Sequence, residues 1–400
     1  EIADLHQGAR HLVTLSAGDR QQLLRECVKG VGRHWEHWCA EAWAAKRIPP
    51  GDPARAEDMM TAVMPTLRHL QLLDCTLEDI AAGGRPRLPA EPYEQGSRLR
   101  VPVFPTRALF DRLLFRSIQA HVRMPPGTTR ADLFGEGLRR AVGQAGEAPS
   151  VTLVLGAGNV SSIPITDALT KIFQENQAVL LKMNPVNAYV GPIFEQAFAS
   201  LIDANLLRIV YGGVEVGAKW VSSSEIDRVH ITGSDRTHDA IVWGSSSQEQ
   251  ADRKAADSPL LQKPITSELG NVSPWIIVPG HYSDRQLRFQ AENVVASVVN
   301  NASFVCIATK MLITCKSWPQ REKFLNLVDE IMSAVRRRFA YYPGASDRFA
   351  RFSGFAADDP EYLPWTMRRD LNPAEEPLLF KQESFACVFG ETALAANSAN

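Results

Sequence analysis

The sequence predicts an α/β protein, with two parallel-sheet α/β domains preceded by N-terminal helices. Three observations carry this prediction. At 400 residues the chain exceeds what one ordinary core organises, so two domains are the starting expectation. From Val151 onward, apolar runs of strand length (151–155, 178–182, 207–211 and 228–231) alternate with helix-length segments at 163–174 and 190–204. That alternation is the signature of a parallel sheet covered on both faces. Before it, residues 1 to about 80 show helical periodicity alone.

Composition narrows the function classes. Hydrophobic residues make up 45% and charged residues 22%, as in an ordinary soluble globular protein. A formal net charge of −2 gives no field to attract nucleic acid or a membrane surface. No apolar run approaches the roughly 18 residues of a spanning helix, and no charged-then-apolar leader opens the chain. The expectation is a cytoplasmic protein with no nucleic-acid partner and no membrane span. Cys27, Cys39, Cys75, Cys306, Cys315 and Cys387 are scattered without a C-x-x-C pair, which favours free thiols over a disulfide framework. His34, His37 and Cys39 lie close together, but no second ligand pair follows at zinc spacing. They read as one face of a helix, and no metal is expected.

Taken in order, Ser16 with Asp19 three places on marks a capped helix whose apolar stripe is Leu23, Leu24, Cys27, Val28 and Val31. A further helical stripe runs through Met59, Val63, Leu67 and Leu70, and these helices read as scaffold. Residues 83–127 are rich in Pro, Gly and Arg, with an extended piece at 99–104. Pro102 and Pro105 argue against a central strand there, leaving an edge strand, an intersubunit arm or a surface excursion. After the strand runs come Gly156-Ala157-Gly158-Asn159, Met183-Asn184-Pro185, Gly212-Gly213 and Thr232-Gly233-Ser234. Ligands of parallel sheets bind at such strand ends. The first of these fails as a dinucleotide fingerprint, because Ser161 stands where the third glycine belongs and Lys182, not an acid, ends the next strand. Residues 245–259 read as a solvated loop or short helix. Ser283 with Gln286, and Ser317 with Gln320, mark two later helix starts.

The chemistry concentrates in residues 265–310. Glu268 lies on a turn with Leu269 and Gly270, and Cys306 follows 38 positions later, behind a helix ending at Asn300 and Asn301. A thiol and a carboxylate on separate elements are the minimum parts for covalent chemistry at a carbonyl.

In order, these pieces resemble the aldehyde dehydrogenase superfamily, most densely over 151–315. Asn159 resembles its oxyanion-hole asparagine, and Lys182 the lysine at the adenosine ribose. Gly233 and Ser234 are similar to the turn facing the pyrophosphate. Glu268-Leu269-Gly270 resembles the general-base motif, Cys306 the nucleophile, and Glu383-Ser384-Phe385 the nicotinamide-ribose clamp. The resemblance implies an aldehyde dehydrogenase-like fold. Residues 1–274 would hold the helices and the nucleotide-binding domain, and 275–400 the catalytic domain. It also implies NAD or NADP as cofactor, a small aldehyde as substrate, and a homodimer or homotetramer. The implied reaction is oxidation to a carboxylic acid through a cysteine thiohemiacetal and thioester, hydrolysed with Glu268. Two other readings stay open at this point: an acylating aldehyde dehydrogenase or acyl-CoA reductase, and a dehydrogenase-shaped protein without activity.

The sequence departs from the family at Pro185, where an acid or serine is usual, at Asn271, the second glycine of the base motif, and at Ser303 and Phe304, where glycine and glutamine are typical. Family members also continue past the point where this chain stops, so it reads as a fragment.

Overall fold

The computed structural model describes residues 2–135, 148–375 and 377–395. The polar tail that closes the sequence lies outside them. The strands are β1 Tyr93–Gln95, β2 Arg98–Phe104, β3 Ala120–Arg123, β4 Ser150–Leu155, β5 Gln177–Lys182, β6 Leu207–Val210, β7 Arg228–Gly233, β8 Ile265–Leu269, β9 Pro274–Ile276, β10 Met311–Cys315, β11 Thr366–Arg368 and β12 Val388–Leu394. They form a five-stranded sheet in the order β6-β5-β4-β7-β8, a four-stranded sheet in the order β11-β12-β10-β9, and a three-stranded sheet β1-β2-β3. The first two are parallel throughout and the third is antiparallel. Every residue of β5, and β4 up to Leu155, is buried, which is why both read as unbroken apolar runs.

Of the N-terminal helices, Ile2–Leu12 packs directly on β4 and β5, and the later ones pack onto the first sheet's own helices. Helix Ala17–Ala45 starts at a full capping box of Ser16 and Asp19 and buries Leu24, Cys27, Val31, Trp38 and Ala42. Gly30 is required there: a Cβ would fall 1.9 Å from the Ala197 carbonyl oxygen. Trp38 meets Phe194 edge-on at 5.0 Å and donates its indole N–H to Ser161 Oγ at 2.8 Å. This contact accounts for a serine at the failed fingerprint position. Ser161→Ala would leave a buried N–H unpaired, so we expect a loss of about 1–3 kcal/mol in denaturant unfolding with an unchanged slope. Nearby, a π-helical turn at Met59–Val63 precedes helix Met64–Gly83. Pro65 has no N–H to return to Thr61, and that carbonyl accepts from Ser162 Oγ instead, at 2.8 Å.

Several expectations need correction. β2 is the central strand of its sheet, despite Pro102. Its pairing with β1 ends at Arg100, and its register with β3 shifts between Pro102 and Phe104, so the proline falls where few ladder bonds are asked of it. The 190–204 segment is two short helices, Gly191–Ala197 and Ala199–Asp203, broken at Phe198. The helix expected to start at Ser317 begins at Arg321 with Gln320 as its cap residue. Gln320 cannot complete a box with Ser317, because its amide bonds both main-chain groups of Tyr282 (2.9 and 2.8 Å). Residues 245–259 contain a helix, Ser247–Ala255, with no buried residue.

Candidate active site

The predicted residues lie at the ends of strands in the two parallel sheets, and hydrogen bonds tie the Asn159 loop of the first to the Cys306 loop of the second. Asn159 follows β4 and Gly233-Ser234 ends and follows β7, at the carboxyl edge of the first sheet. Glu268, near the end of β8, also lies just before β9. Cys306 lies before β10, and Glu383-Ser384-Phe385 before β12. Because β9, β10 and β12 are neighbours, three segments distant in sequence enter the second sheet side by side. A parallel sheet brings equivalent strand ends together, so this convergence follows from the topology.

The loop carrying Cys306 is bent in an uncommon way. Asn301, Ala302 and Ser303 all have positive φ (49°, 53° and 67°), a conformation costing an L-residue roughly 1–2 kcal/mol. This is the physical reason a glycine suits position 303. Here hydrogen bonds from several elements hold the bend. Asn301 Nδ2 donates to the Asn159 and Phe304 carbonyls, both at 3.0 Å, and its main-chain N–H donates to Glu57 at 3.0 Å. Tyr341 donates its hydroxyl to the Asn159 carbonyl at 2.9 Å, and Lys310 Nζ donates to the Ser303 carbonyl at 2.9 Å. Phe304, in place of a polar residue, is fully buried against Tyr341, Tyr342 and Phe385. Asn271 joins the same structure: Ser273 Oγ donates to the Cys306 carbonyl at 2.8 Å and lies 2.5 Å from Asn271 Oδ1.

Asn159 is brought directly to the thiol loop, with its Nδ2 donating to the Phe304 carbonyl at 3.0 Å. The second hydrogen of that amide remains for another acceptor. Cys306 is half-buried. Burial, followed by the negative charges of Glu268 and Glu383, raises its thiol above the ordinary value, while the N–H groups of Cys306 and Ile307 pull it back down. At neutral pH the sulfur therefore rests as a thiol, with two N–H donors beside it. Lys310 is completely buried, which pushes its ammonium down to about 8, while Glu383, Cys387 and Cys306 favour its charge. Glu383 is raised by burial, against the pull of Lys310 and Arg348, and its Oε1 is buried without a partner. Its other oxygen lies 2.3 Å from where a Cβ on Gly270 would stand, so the glycine of the base motif makes room for this carboxylate. Glu268 itself is exposed, on the face of β8 opposite Thr232.

In the Gly156–Gly158 loop, a Cβ on Gly158 would meet the Asn184 side chain at 2.6 Å, and Asn187 Nδ2 donates to the Ala157 carbonyl at 2.8 Å. Lys182 ends β5, one strand away from Asn159, with only 8% of the residue exposed. No hydrogen bond or ion pair reaches its ammonium among the described residues. Ser234 caps helix Asp235–Trp243, accepting from the Thr237 N–H. Sequence reasoning missed Glu57, Tyr341 and Lys310, and took Asn301 only as a helix end. Lys310, alone among the apolar residues from Ile307 to Ile313, was the one legible signal.

The profile of the aldehyde dehydrogenase family matches residues 161–337, a span including Lys182, Gly233, Ser234, Glu268 and Cys306. Over that span, less than half of the chain, the sequence is similar to the aldehyde dehydrogenase family. Solved members of the superfamily share its fold at low identity. A mutant aldehyde dehydrogenase C from Pseudomonas syringae, complexed with NAD+ and octanal, is 14% identical with a TM-score of 0.66, over 99% of this chain and 71% of that one. Lactaldehyde dehydrogenase from Escherichia coli is 16% identical (TM-score 0.62, 98% and 72%). A glyceraldehyde-3-phosphate dehydrogenase from Methanocaldococcus jannaschii, complexed with NADP, is 14% identical (TM-score 0.66, 98% and 75%). A sequence search of curated proteins gives no match. No helix among the described residues is long and apolar enough to cross a membrane.

Proposed function

We propose that the protein is an NAD(P)-dependent aldehyde dehydrogenase that releases its product by hydrolysis. The observation carrying this reading is the hydrogen bond from Asn159 to the loop that carries Cys306, with the thiol under the influence of the Glu268 charge. Cys306 gives up its thiol proton to solvent water and its sulfur adds to the aldehyde carbon, placing negative charge on the carbonyl oxygen. The free hydrogen of the Asn159 amide and the Cys306 N–H stabilise that oxygen. NAD or NADP, held by Lys182 and the helix start at Ser234, would supply the oxidant as an acceptor of the hydride that the adduct carbon loses. A thioester on Cys306 remains, and Glu268 takes a proton from the water that attacks it. The acid then leaves and the thiol is restored.

The chain has groups that fit the cofactor: the unpartnered ammonium of Lys182 for a ribose, and the helix start at Ser234 for the pyrophosphate. The exposed apolar residues Leu109, Phe110, Leu113 and Leu114, between β2 and β3, suit a homodimer or homotetramer.

Mixing the protein with NAD or NADP and a panel of aldehydes should give a burst of reduced nucleotide, and alkylating Cys306 should abolish it. If no aldehyde gives a burst and mass spectrometry finds Cys306 inert to a thiol reagent, the enzymatic reading falls. Faster turnover with CoA and a thioester product would overturn hydrolysis alone.

A further inference from the structure

One acid at the carboxyl edge of the first sheet, Glu215, has no part in the function proposed so far. β5 and β6 are paired with Lys182 opposite Val210, and the Met183 N–H donates to the Val210 carbonyl at 2.9 Å. The end of β5 therefore lies directly against the turn that leaves β6. That turn, Tyr211-Gly212-Gly213, opens helix Val214–Ser222 and is built to seat one side chain. Gly212 has a φ of +134°, and a Cβ on it would strike Val216 at 2.4 Å. A Cβ on Gly213 would strike Glu215 Oε2 at 2.5 Å. Gly212 is thus needed for the turn's conformation, and the absence of a side chain on Gly213 leaves the space in which the Glu215 carboxylate folds back. The Gly213 N–H then holds the carboxylate by donating to Glu215 Oε1 at 2.9 Å. Burial lowers the ammonium of Lys182 while the charge of Glu215 favours it, and Glu215 is lowered by the N–H groups of Glu215 and Gly213 and, to a smaller extent, by Lys182. Glu195, the other acid nearby, is occupied by the Tyr211 hydroxyl at 2.7 Å.

We propose that Glu215 selects the nucleotide, pairing with Lys182 on the adenosine ribose hydroxyls and making the protein prefer NAD over NADP. This rests on the dehydrogenase reading above and deepens it. A ribose diol needs one donor and one acceptor, which an ammonium and a carboxylate supply. A 2′-phosphate would set a dianion beside a carboxylate that its own turn holds in place. Pro185 occupies the position from which the family's acid usually comes, and here the next strand's helix provides the acid instead.

Isothermal titration of the parent protein with each dinucleotide, without aldehyde, tests this. NAD should bind at least about tenfold more tightly than NADP, and Glu215→Gln should bring the two within about threefold. Lys182→Met should weaken both nucleotides. Glu215 is exposed, and circular dichroism checks that its variant is folded. Equal binding of the two nucleotides by the parent, or a preference unmoved by Glu215→Gln, overturns the assignment and leaves the dehydrogenase reading standing. Binding of neither nucleotide removes both.

Discussion

Glu268→Gln is expected to keep the first turnover and to slow the steady state by about 10²–10⁴-fold, the usual contribution of a positioned general base. The two phases separate because the glutamine still fills the space but cannot accept a proton from water. A second effect runs in the opposite direction. The negative charge of Glu268 helps to raise the Cys306 thiol above its ordinary value. Removing that charge lowers the thiol toward that value, so the thiolate fraction at a fixed mildly alkaline pH increases. Alkylation of Cys306, followed by mass spectrometry to separate it from exposed Cys75, should therefore be faster in the variant at every pH below the thiol's own titration. Slower turnover with a more reactive thiol is difficult to obtain from general damage to the fold. A steady-state rate equal to the parent's would exclude Glu268 as the deacylating base.

Asn159→Ala should lower the burst rate by about 10²–10³-fold, the cost of one oxyanion donor, or roughly 3 kcal/mol. The bonds that tie this segment to the thiol loop use the main-chain carbonyl of Asn159, which accepts from Asn301 and Tyr341, and alanine keeps that carbonyl. The Phe304 carbonyl, released by the lost side chain, still accepts from Asn301. Thermal melting should therefore barely move while the rate collapses. A burst within about threefold of the parent's would show that the amide is not a donor to the reacting oxygen.

What was legible in the sequence was local. The boxes at Ser16 with Asp19 and Ser283 with Gln286 formed as expected, because each needs only residues within one turn. The box at Ser317 failed because Gln320 is engaged by Tyr282, 38 positions away. Pro102 misled for the same reason: whether a proline can sit in a middle strand depends on where its neighbours stop pairing. The site divides along this line. Order along the chain singled out the elements carrying Asn159, Glu268, Cys306 and Glu383, and the strand pattern implied that their ends meet. It did not supply the burial of Lys310, or the way Glu215 folds back over the β6 turn. Those depend on side chains packed from distant segments.

The hydrogen bond from the Asn301 N–H to Glu57 spans 244 positions and joins the first layer of the chain to the thiol loop. Arg338 donates to the same carboxylate at 2.6 Å, so Glu57 is the knot between the N-terminal helices, the nucleophile loop and the segment leading to Tyr341. The helices that read as inert scaffold are therefore an anchor for a strained loop. A shortened protein that begins after Glu57 would keep both parallel sheets and every residue proposed for catalysis, yet lose the carboxylate that holds the bend before Cys306. The practical boundary of the active unit lies further toward the N-terminus than the boundary of the catalytic motifs.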